Sequence, residues 1–224
     1  MNNFKLSTTF ILLFGLLIIS GCKKTSIPYD LIIQNGMVVD GTGSPAYLAT
    51  IAIKKDKIVE ISKENIDAAK AIKLIDAGGL IVSPGFIDMH TNVTVNIQDY
   101  PSAENFIRQG ATTLMASLHS GDQAFPLDVY ADTLKMAPNV GYFAGHSWIR
   151  KQVMGLENKA PSKTEMDSMK YFMNATMKQG ALGLSTGLEY VPGNYADEDE
   201  IVELAKISAL YNGLYFTHMR NEGS

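Results

Sequence analysis

The sequence predicts an α/β fold in which a small sheet module precedes a parallel sheet covered by helices, as in an α/β barrel. Residues 29–83 contain short apolar runs separated by tight turn signals. After residue 84, apolar runs alternate with helical patterns, which is typical of a parallel sheet. Each histidine also follows a short apolar run, where catalytic side chains lie in such folds.

The composition is that of a soluble globular protein with a sizeable core. Of the 224 residues, 46% are hydrophobic and 19% are charged, and the net charge is −4. Because a nucleic-acid-binding protein needs a basic patch, this mild acidity excludes nucleic acid from the expected partners. The sequence leaves the oligomeric state open.

The first 22 residues resemble the signal peptide of a bacterial lipoprotein. Lys5 precedes an apolar run over residues 10–19, which is too short to span a bilayer but fits a secretory signal. Small residues then precede Cys22, the only cysteine of the chain, so an intrachain disulfide is excluded. We expect residues 1–22 to be the signal peptide, Cys22 to carry the lipid and residues 23–29 to form a tether. The protein is then anchored to a lipid bilayer in the bacterial cell envelope, either periplasmic or surface-exposed.

Residues 30–83 are expected to form the small sheet module. The dipeptide Asn35-Gly36 between two apolar runs is a strong hairpin signal. A second hairpin is expected across residues 54–57, and a further strand over residues 71–76. The pattern therefore predicts an antiparallel module of short strands.

Residues 84–224 are expected to contain five parallel strands that alternate with helices. The strand runs end at or near His90, His119, His146, Ser185 and His218. Helices are expected over residues 102–109 and 128–136, after Ser162 and after Asp197. The helix after Ser162 begins with a capping box and carries methionines at helical spacing, which indicates core packing. Because five strands do not close an eight-stranded barrel, the pattern leaves two alternatives, an open sheet or a part of a longer barrel.

The histidines at the strand ends predict a metal site. Neutral imidazole is the commonest metal ligand, and catalytic zinc sites use three protein ligands and keep one position open for water. His90, His119 and His218 follow strands one, two and five of the series, so their rings are expected to converge on one divalent ion. For His146, three roles stay open: metal ligand, substrate contact or packing at the rim.

Several segments match the motifs of a known family. The segment DLIIQNG at residues 30–36 and the segment PGFIDMH at residues 84–90 resemble the opening of metal-dependent amidohydrolases. The segments ALGLSTGLEYVPG at residues 181–193 and THMRNEG at residues 217–223 resemble the N-acyl-D-amino-acid deacylase (D-aminoacylase) group of that superfamily. The resemblance spans residues 29–224, and these two later motifs are long and specific.

The resemblance implies zinc and hydrolysis of the amide bond in N-acyl-D-amino acids. It assigns metal-binding positions to His90, to His119, where the family usually has a cysteine, and to His218. Asn92 stands where the family has a further metal-binding histidine. Because an amide side chain is a poor zinc ligand, one zinc ion is expected more than two.

The resemblance also implies a (β/α)8 barrel beside a small β-sandwich, of which this chain supplies the N-terminal portion. Residues 30–83 are then part of the sandwich, and residues 84–224 form an incomplete barrel of about five βα units. The family's proton-transferring aspartate is expected beyond Ser224. The catalytic residue is therefore not identified, and the chain alone is expected to be inactive.

By position in these motifs, Tyr190, Arg220 and His146 are expected to bind the substrate. The guanidinium of Arg220 suits a free carboxylate because its fork can bind two oxygens at once. The alternative for Arg220 is an ion pair with Glu222 or with a helix acid.

Two alternatives also remain for the whole protein. One is an amidohydrolase that acts on cyclic amides or dipeptides. The other is a surface-anchored binding protein that has lost catalysis, as Asn92 suggests.

Overall fold

The computed structural model describes residues 28–91, 93, 95–116 and 121–223. The predicted signal peptide, Cys22 and most of the predicted tether lie outside the described residues, and so do Asn92 and His119. The chain divides into two compact units, one that ends at Pro84 and one that begins at Gly85. Within the described ranges, no helix is both long and apolar enough to cross a membrane.

The first unit contains one mixed sheet. Its strands are β1 (Tyr29–Val38), β2 (Tyr47–Lys54), β3 (Lys57–Ser62), β4 (Ala71–Asp76) and β5 (Ile81–Val82). The order is β3-β2-β1-β4, with β5 also paired to β1. Two small apolar clusters lie in this sheet, one around Ile32 and Ala52 and the other around Val38 and Ile51. The predicted hairpin between β2 and β3 is confirmed.

The prediction of a hairpin at Asn35-Gly36 was wrong. Strand β1 continues through this dipeptide without reversing direction and shifts its register against β2 between Ile33 and Gly36. Asn35 has a φ of 63°, so the backbone bulges there, and its side-chain amide donates to Asp76 Oδ1 at 2.9 Å. A bulge absorbs the left-handed conformation that a two-residue turn would otherwise require.

The first unit is also not purely antiparallel, contrary to the prediction. Strand β1 pairs with β4 in parallel before the bulge and with β5 in parallel after it. The local turn signals carried no information about these pairings, because parallel partners are joined by longer connections. A sandwich formed with other strands remains a prediction.

The second unit alternates strands and helices. Its strands are β6 (Phe86–Asp88), β7 (Ala111–Ala116), β8 (Asn139–Tyr142), β9 (Ala144–Gly145), β10 (Gly183–Gly187) and β11 (Leu214–His218). Its helices are α1 (Glu104–Ile107), α2 (Leu127–Thr133), α3 (His146–Met154), α4 (Lys163–Lys178) and α5 (Glu198–Leu210). Short 3-10 turns lie at Val95–Asp99 and Gly193–Tyr195. This is a mixed α/β arrangement, as predicted.

The strands of this unit are parallel and follow chain order. β6 pairs with β7 and β7 with β8, while β9 pairs with β10 and β10 with β11. β8 and β9 are halves of one extended run around Phe143, whose N–H reaches the carbonyl of Ala116 at 3.4 Å. The five predicted strand runs are therefore confirmed as parallel neighbours, and closure into a barrel stays a prediction.

The core of the second unit lies between its strands and the helices α4 and α5. Leu114, Leu184 and Leu204 are fully buried there, and burying one such side chain contributes about 1.5–3 kcal/mol. The predicted methionine stripe belongs to this core, since Met169 and Met173 are also fully buried.

Helix boundaries follow the local backbone. The predicted capping box is present, with Ser162 and Glu165 each bonding the other's backbone N–H. Asp197 caps α5, as predicted. Helix α1 is shorter than the predicted 102–109 because Ala103 has a left-handed backbone with φ 41°. Helix α2 ends before residue 136 because Leu134 is extended. Helix α3 was not predicted.

Candidate active site

The carboxyl ends of β9, β10 and β11 lie side by side because the three strands are parallel neighbours. His218 is the last residue of β11, and His146 follows β9 directly. Tyr190 lies in the segment that leaves β10. The predicted positions of His146 and His218 at strand ends are therefore confirmed, and the surroundings of each side chain differ.

His218 is held in a defined orientation. Its Nδ1 lies 3.0 Å from the carbonyl oxygen of Met219, which suits an Nδ1–H that donates to this oxygen. The lone pair then resides on Nε2, which lies 3.2 Å from the hydroxyl of Tyr190. The two rings meet edge to face, with centroids 4.9 Å apart. A backbone contact of this kind fixes the tautomer in metal-binding histidines.

Two carboxylates lie beside the same nitrogen. Glu189 Oε2 and Glu222 Oε1 are each 3.4 Å from His218 Nε2. The side chain of His218 is 11% exposed, whereas those of Glu189 and Glu222 are 48% and 64% exposed. The negative charge is therefore on the solvent side of the imidazole, where it attracts a cation.

His90 lies near the same end of the unit. It follows β6, and its ring packs edge to face against Phe216, with centroids 5.8 Å apart. Phe216 and His218 are two residues apart on β11, so their side chains leave the same face of the strand. Asp88 Oδ1 accepts the backbone N–H of His90 at 3.0 Å.

The donor chemistry fits zinc, but the described residues alone do not complete a site. His90 and His218 offer imidazoles, and the contact of His218 Nδ1 with the Met219 carbonyl leaves Nε2 as the nitrogen that could bind a metal. Among the described residues, no group of three His, Cys, Asp or Glu is arranged to hold a metal ion. The third predicted ligand, His119, lies outside the described residues, so the three-histidine set stays a prediction.

His146 is placed differently from the other predicted site residues. It begins α3 and is fully buried, and its Nε2 lies 2.7 Å from Glu200 Oε1. The second oxygen of Glu200 accepts from Arg150 Nη1 in a fully buried ion pair. Arg150 Nη2 also donates to the carbonyls of Glu157 and Lys159, at 3.1 and 2.6 Å. This position favours a structural role for His146 over contact with a substrate.

The buried carboxylate of Glu200 is kept charged by its partners. Burial raises the pKa of Glu200, but hydrogen bonds from His146 and Arg150 outweigh that effect and hold the pKa below its ordinary value. Glu200 also lies in the first turn of α5, where its N–H donates to the capping Asp197 at 2.8 Å. The cluster of His146, Arg150 and Glu200 therefore ties α3 to α5.

Arg220 already has partners on the protein. Its Nη1 donates to the carbonyl of Asn194 at 3.1 Å, and its Nη2 donates to the carbonyl of Ala196. These contacts differ from both sequence-based expectations, a substrate carboxylate or an acidic side chain.

Sequence reasoning missed the buried cluster and the acids beside His218. Arg150 and Glu200 are fifty residues apart in the chain, and no local pattern links them. A weak signal was available for Glu189 and Glu222, since both lie within the two long motifs that also contain Tyr190 and His218.

Comparisons with known proteins give a consistent result. No protein-family model matches the chain. The chain is 31% identical over 226 aligned positions to D-aminoacylase of Alcaligenes xylosoxydans xylosoxydans, covering 90% of this chain and 46% of that protein. The crystal structure of N-acyl-D-glutamate deacylase from Bordetella bronchiseptica, complexed with zinc and a phosphonate inhibitor, matches with a TM-score of 0.81 and 30% identity. That match covers 87% of this chain and 46% of the other.

A structure of D-aminoacylase solved to study its binuclear metal centre also matches, with a TM-score of 0.77 and 30% identity. It too covers 87% of this chain and 46% of the other. The chain thus spans about half the length of the relatives it matches, and over that half it shares their mixed α/β fold.

Proposed function

Because the chain is a homologue and structural match of the N-acyl-D-amino-acid deacylases (D-aminoacylases) of the amidohydrolase superfamily over 46% of their length, we propose that the complete protein is a zinc-dependent hydrolase. Its reaction is cleavage of the amide bond in N-acyl-D-amino acids. The observation that supports this most directly is the orientation of His218, whose Nδ1 is held by the Met219 carbonyl. Its Nε2 is thereby presented at the common end of three parallel strands.

The proposed zinc ligands are His90, His119 and His218. We propose one ion, because Asn92 replaces an imidazole by an amide that zinc binds poorly. When bound, zinc supplies the Lewis acidity that polarises a carbonyl oxygen and activates water. The carboxylates of Glu189 and Glu222, 3.4 Å from His218 Nε2, favour a cation at this end of the strands.

The chain's own residues bind and orient the substrate in this proposal. The hydroxyl of Tyr190, 3.2 Å from His218 Nε2, is placed to donate to an oxygen of the substrate bound beside that histidine. Phe216, whose ring packs against that of His90, provides an apolar surface there, and the buried ring of Phe143 packs against Phe216 with centroids 6.1 Å apart. We propose that the proton-transferring aspartate is supplied by a part of the protein outside this chain, so the chain alone is inactive.

The test is a substrate panel applied to the complete protein that contains this chain. N-acyl-D-amino acids, their L-isomers and cyclic amides are compared, and bound zinc is measured by elemental analysis. We expect hydrolysis of the D-isomers with one zinc per chain, and loss of both hydrolysis and zinc on His218→Ala. A surface variant, Arg108→Ala, serves as the control, since the exposed Arg108 pairs with the exposed Glu104. A protein that binds no zinc and cleaves none of the D-isomers contradicts the proposal.

We further propose that lipid on Cys22 anchors the protein to the cell envelope. The support is the sequence pattern of an apolar run and small residues before the only cysteine. Replacement of Cys22 by Ala is expected to move the protein from the membrane fraction to the soluble fraction. Retention in the membrane fraction after this replacement contradicts the proposed anchor.

A further inference from the structure

We infer that Arg220 is a positioning residue. Its guanidinium holds the segment that carries Tyr190 in place, and it does not bind the substrate carboxylate. The segment, residues 188–197, connects β10 to α5. Arg220 thereby sets the placement of Tyr190 over His218, and this role rests on the proposed function only for its effect on catalysis.

The segment begins with backbone hydrogen bonds that place Tyr190 beside His218. The N–H of Leu188 donates to the carbonyl of His218 at 3.0 Å, and the N–H of Tyr190 donates to Gly187 at 3.2 Å. The segment then folds back, because Asn194 N–H donates to the carbonyl of Tyr190 at 2.9 Å. The position of Tyr190 is therefore coupled to that of Asn194.

Arg220 holds this folded segment from the side of β11. Its two terminal nitrogens donate to the carbonyls of Asn194 and Ala196, which are two residues apart. A guanidinium has a rigid fork of donors, so it fixes both the distance and the angle between two acceptors. The compact ammonium of a lysine cannot reproduce this two-point contact.

The far end of the segment is fixed independently. A Cβ on Gly193 would lie only 2.4 Å from the carbonyl oxygen of Gly187, so the backbone approaches closely there. Asp197 caps α5 and Glu200 joins the buried cluster with His146. The carboxyl end of the segment is thus tied to α3, while Arg220 ties its middle to the residues after His218.

In this arrangement both terminal nitrogens of Arg220 already donate hydrogen bonds to backbone carbonyls. A substrate carboxylate held by the same two nitrogens would have to displace the carbonyls of Asn194 and Ala196. Releasing Ala196, a residue that is only 4% exposed, would expose or orphan a backbone acceptor. The contact is therefore better suited to holding the segment than to exchanging with a ligand.

The test compares Arg220→Ala and Arg220→Lys with Arg108→Ala in the full chain without substrate. Amide hydrogen exchange of Asn194, Tyr195 and Ala196 is measured by NMR, together with the cross-relaxation between the rings of Tyr190 and His218. For Arg220→Ala we expect exchange about tenfold faster or more and loss of the ring contact. For Arg220→Lys we expect an intermediate effect, and for Arg108→Ala no change.

Unchanged exchange and an intact ring contact in Arg220→Ala overturn the inference. If Arg220→Ala does not fold, the Arg220→Lys variant decides. Faster amide exchange in the segment, with unchanged exchange in α5, supports the inference. Exchange that changes equally in the segment and in α5, or in neither of them, overturns it.

In the complete protein, positioning predicts a lower kcat for Arg220→Ala, whereas a direct carboxylate contact predicts a raised KM with kcat retained. The exchange data need no turnover. A protein that cleaves no N-acyl-D-amino acid therefore refutes the proposed function without deciding the role of Arg220.

Discussion

The clusters around His146 and His218 show how two histidines at strand ends of one sheet acquire different surroundings. Both lie at the carboxyl ends of parallel strands, and both have carboxylates nearby. His146 begins a helix, which carries its ring into the core, where Glu200 and Arg150 surround it. His218 is followed by residues without regular structure, and its Nε2 is reached by Tyr190 and by two solvent-facing acids. The local structure after each strand thus decides whether the side chain at its end is enclosed in the core or lies beside solvent-facing groups.

The largest difference between the clusters is expected from removing one acid of each. Glu200→Ala leaves the buried Arg150 without its ionic partner, so we expect a loss of about 3–5 kcal/mol in the free energy of unfolding. Glu222→Ala removes an exposed acid, so we expect a loss of about 0–1 kcal/mol. Urea denaturation monitored by circular dichroism measures the free energy of unfolding of both variants. Equal losses in the two variants contradict the assignment of the two roles.

A smaller effect is expected from His218→Ala, which should weaken zinc binding more than it lowers the free energy of unfolding. Loss of an outer partner of a metal ligand already weakens binding about 10–100-fold, so we expect zinc affinity to fall by more than about 100-fold, or about 2.7 kcal/mol. The free energy of unfolding is expected to fall by only about 1 kcal/mol, since few hydrogen bonds are lost. Competition with a chelator measures the affinity, and Glu104→Ala is the control. Zinc binding that survives His218→Ala rules this histidine out as a ligand.

The smallest effect concerns Glu165, an acid outside both clusters. Hydrogen bonds from the backbone and side chain of Ser162, with Lys159, lower the pKa of Glu165 to about 2 from 4.5. The folded state therefore gains stability from this acid above pH 4.5 and loses it as the pH falls towards 2. Glu165→Gln is expected to have a lower Tm than the parent near neutral pH, and the gap should close on acidification. A gap that stays constant with pH refutes this role of the charge.

The sequence predicted the second unit better than the first. Strand runs before residues 90, 146 and 218 and the caps at Ser162 and Asp197 depend on local pattern, and the structure contains them. The buried triad depends on contacts fifty residues apart, which periodicity does not encode. Arg220 was recognised by its motif, but its two carbonyl acceptors lie 24 and 26 residues earlier in the chain. Local signals thus locate a side chain along a strand, and tertiary packing decides what it bonds.

The bulge at Asn35-Gly36 has a consequence for how chain reversals are recognised in other proteins. The long strand β1 pairs with β4 before the bulge and with β5 after it. The left-handed residue supplies the offset between those two partners, so the chain bends without turning back. A protein engineer who transplants this dipeptide into a strand flanked by two shorter segments should therefore obtain a kink that accommodates both, and the direction of the polypeptide will be preserved.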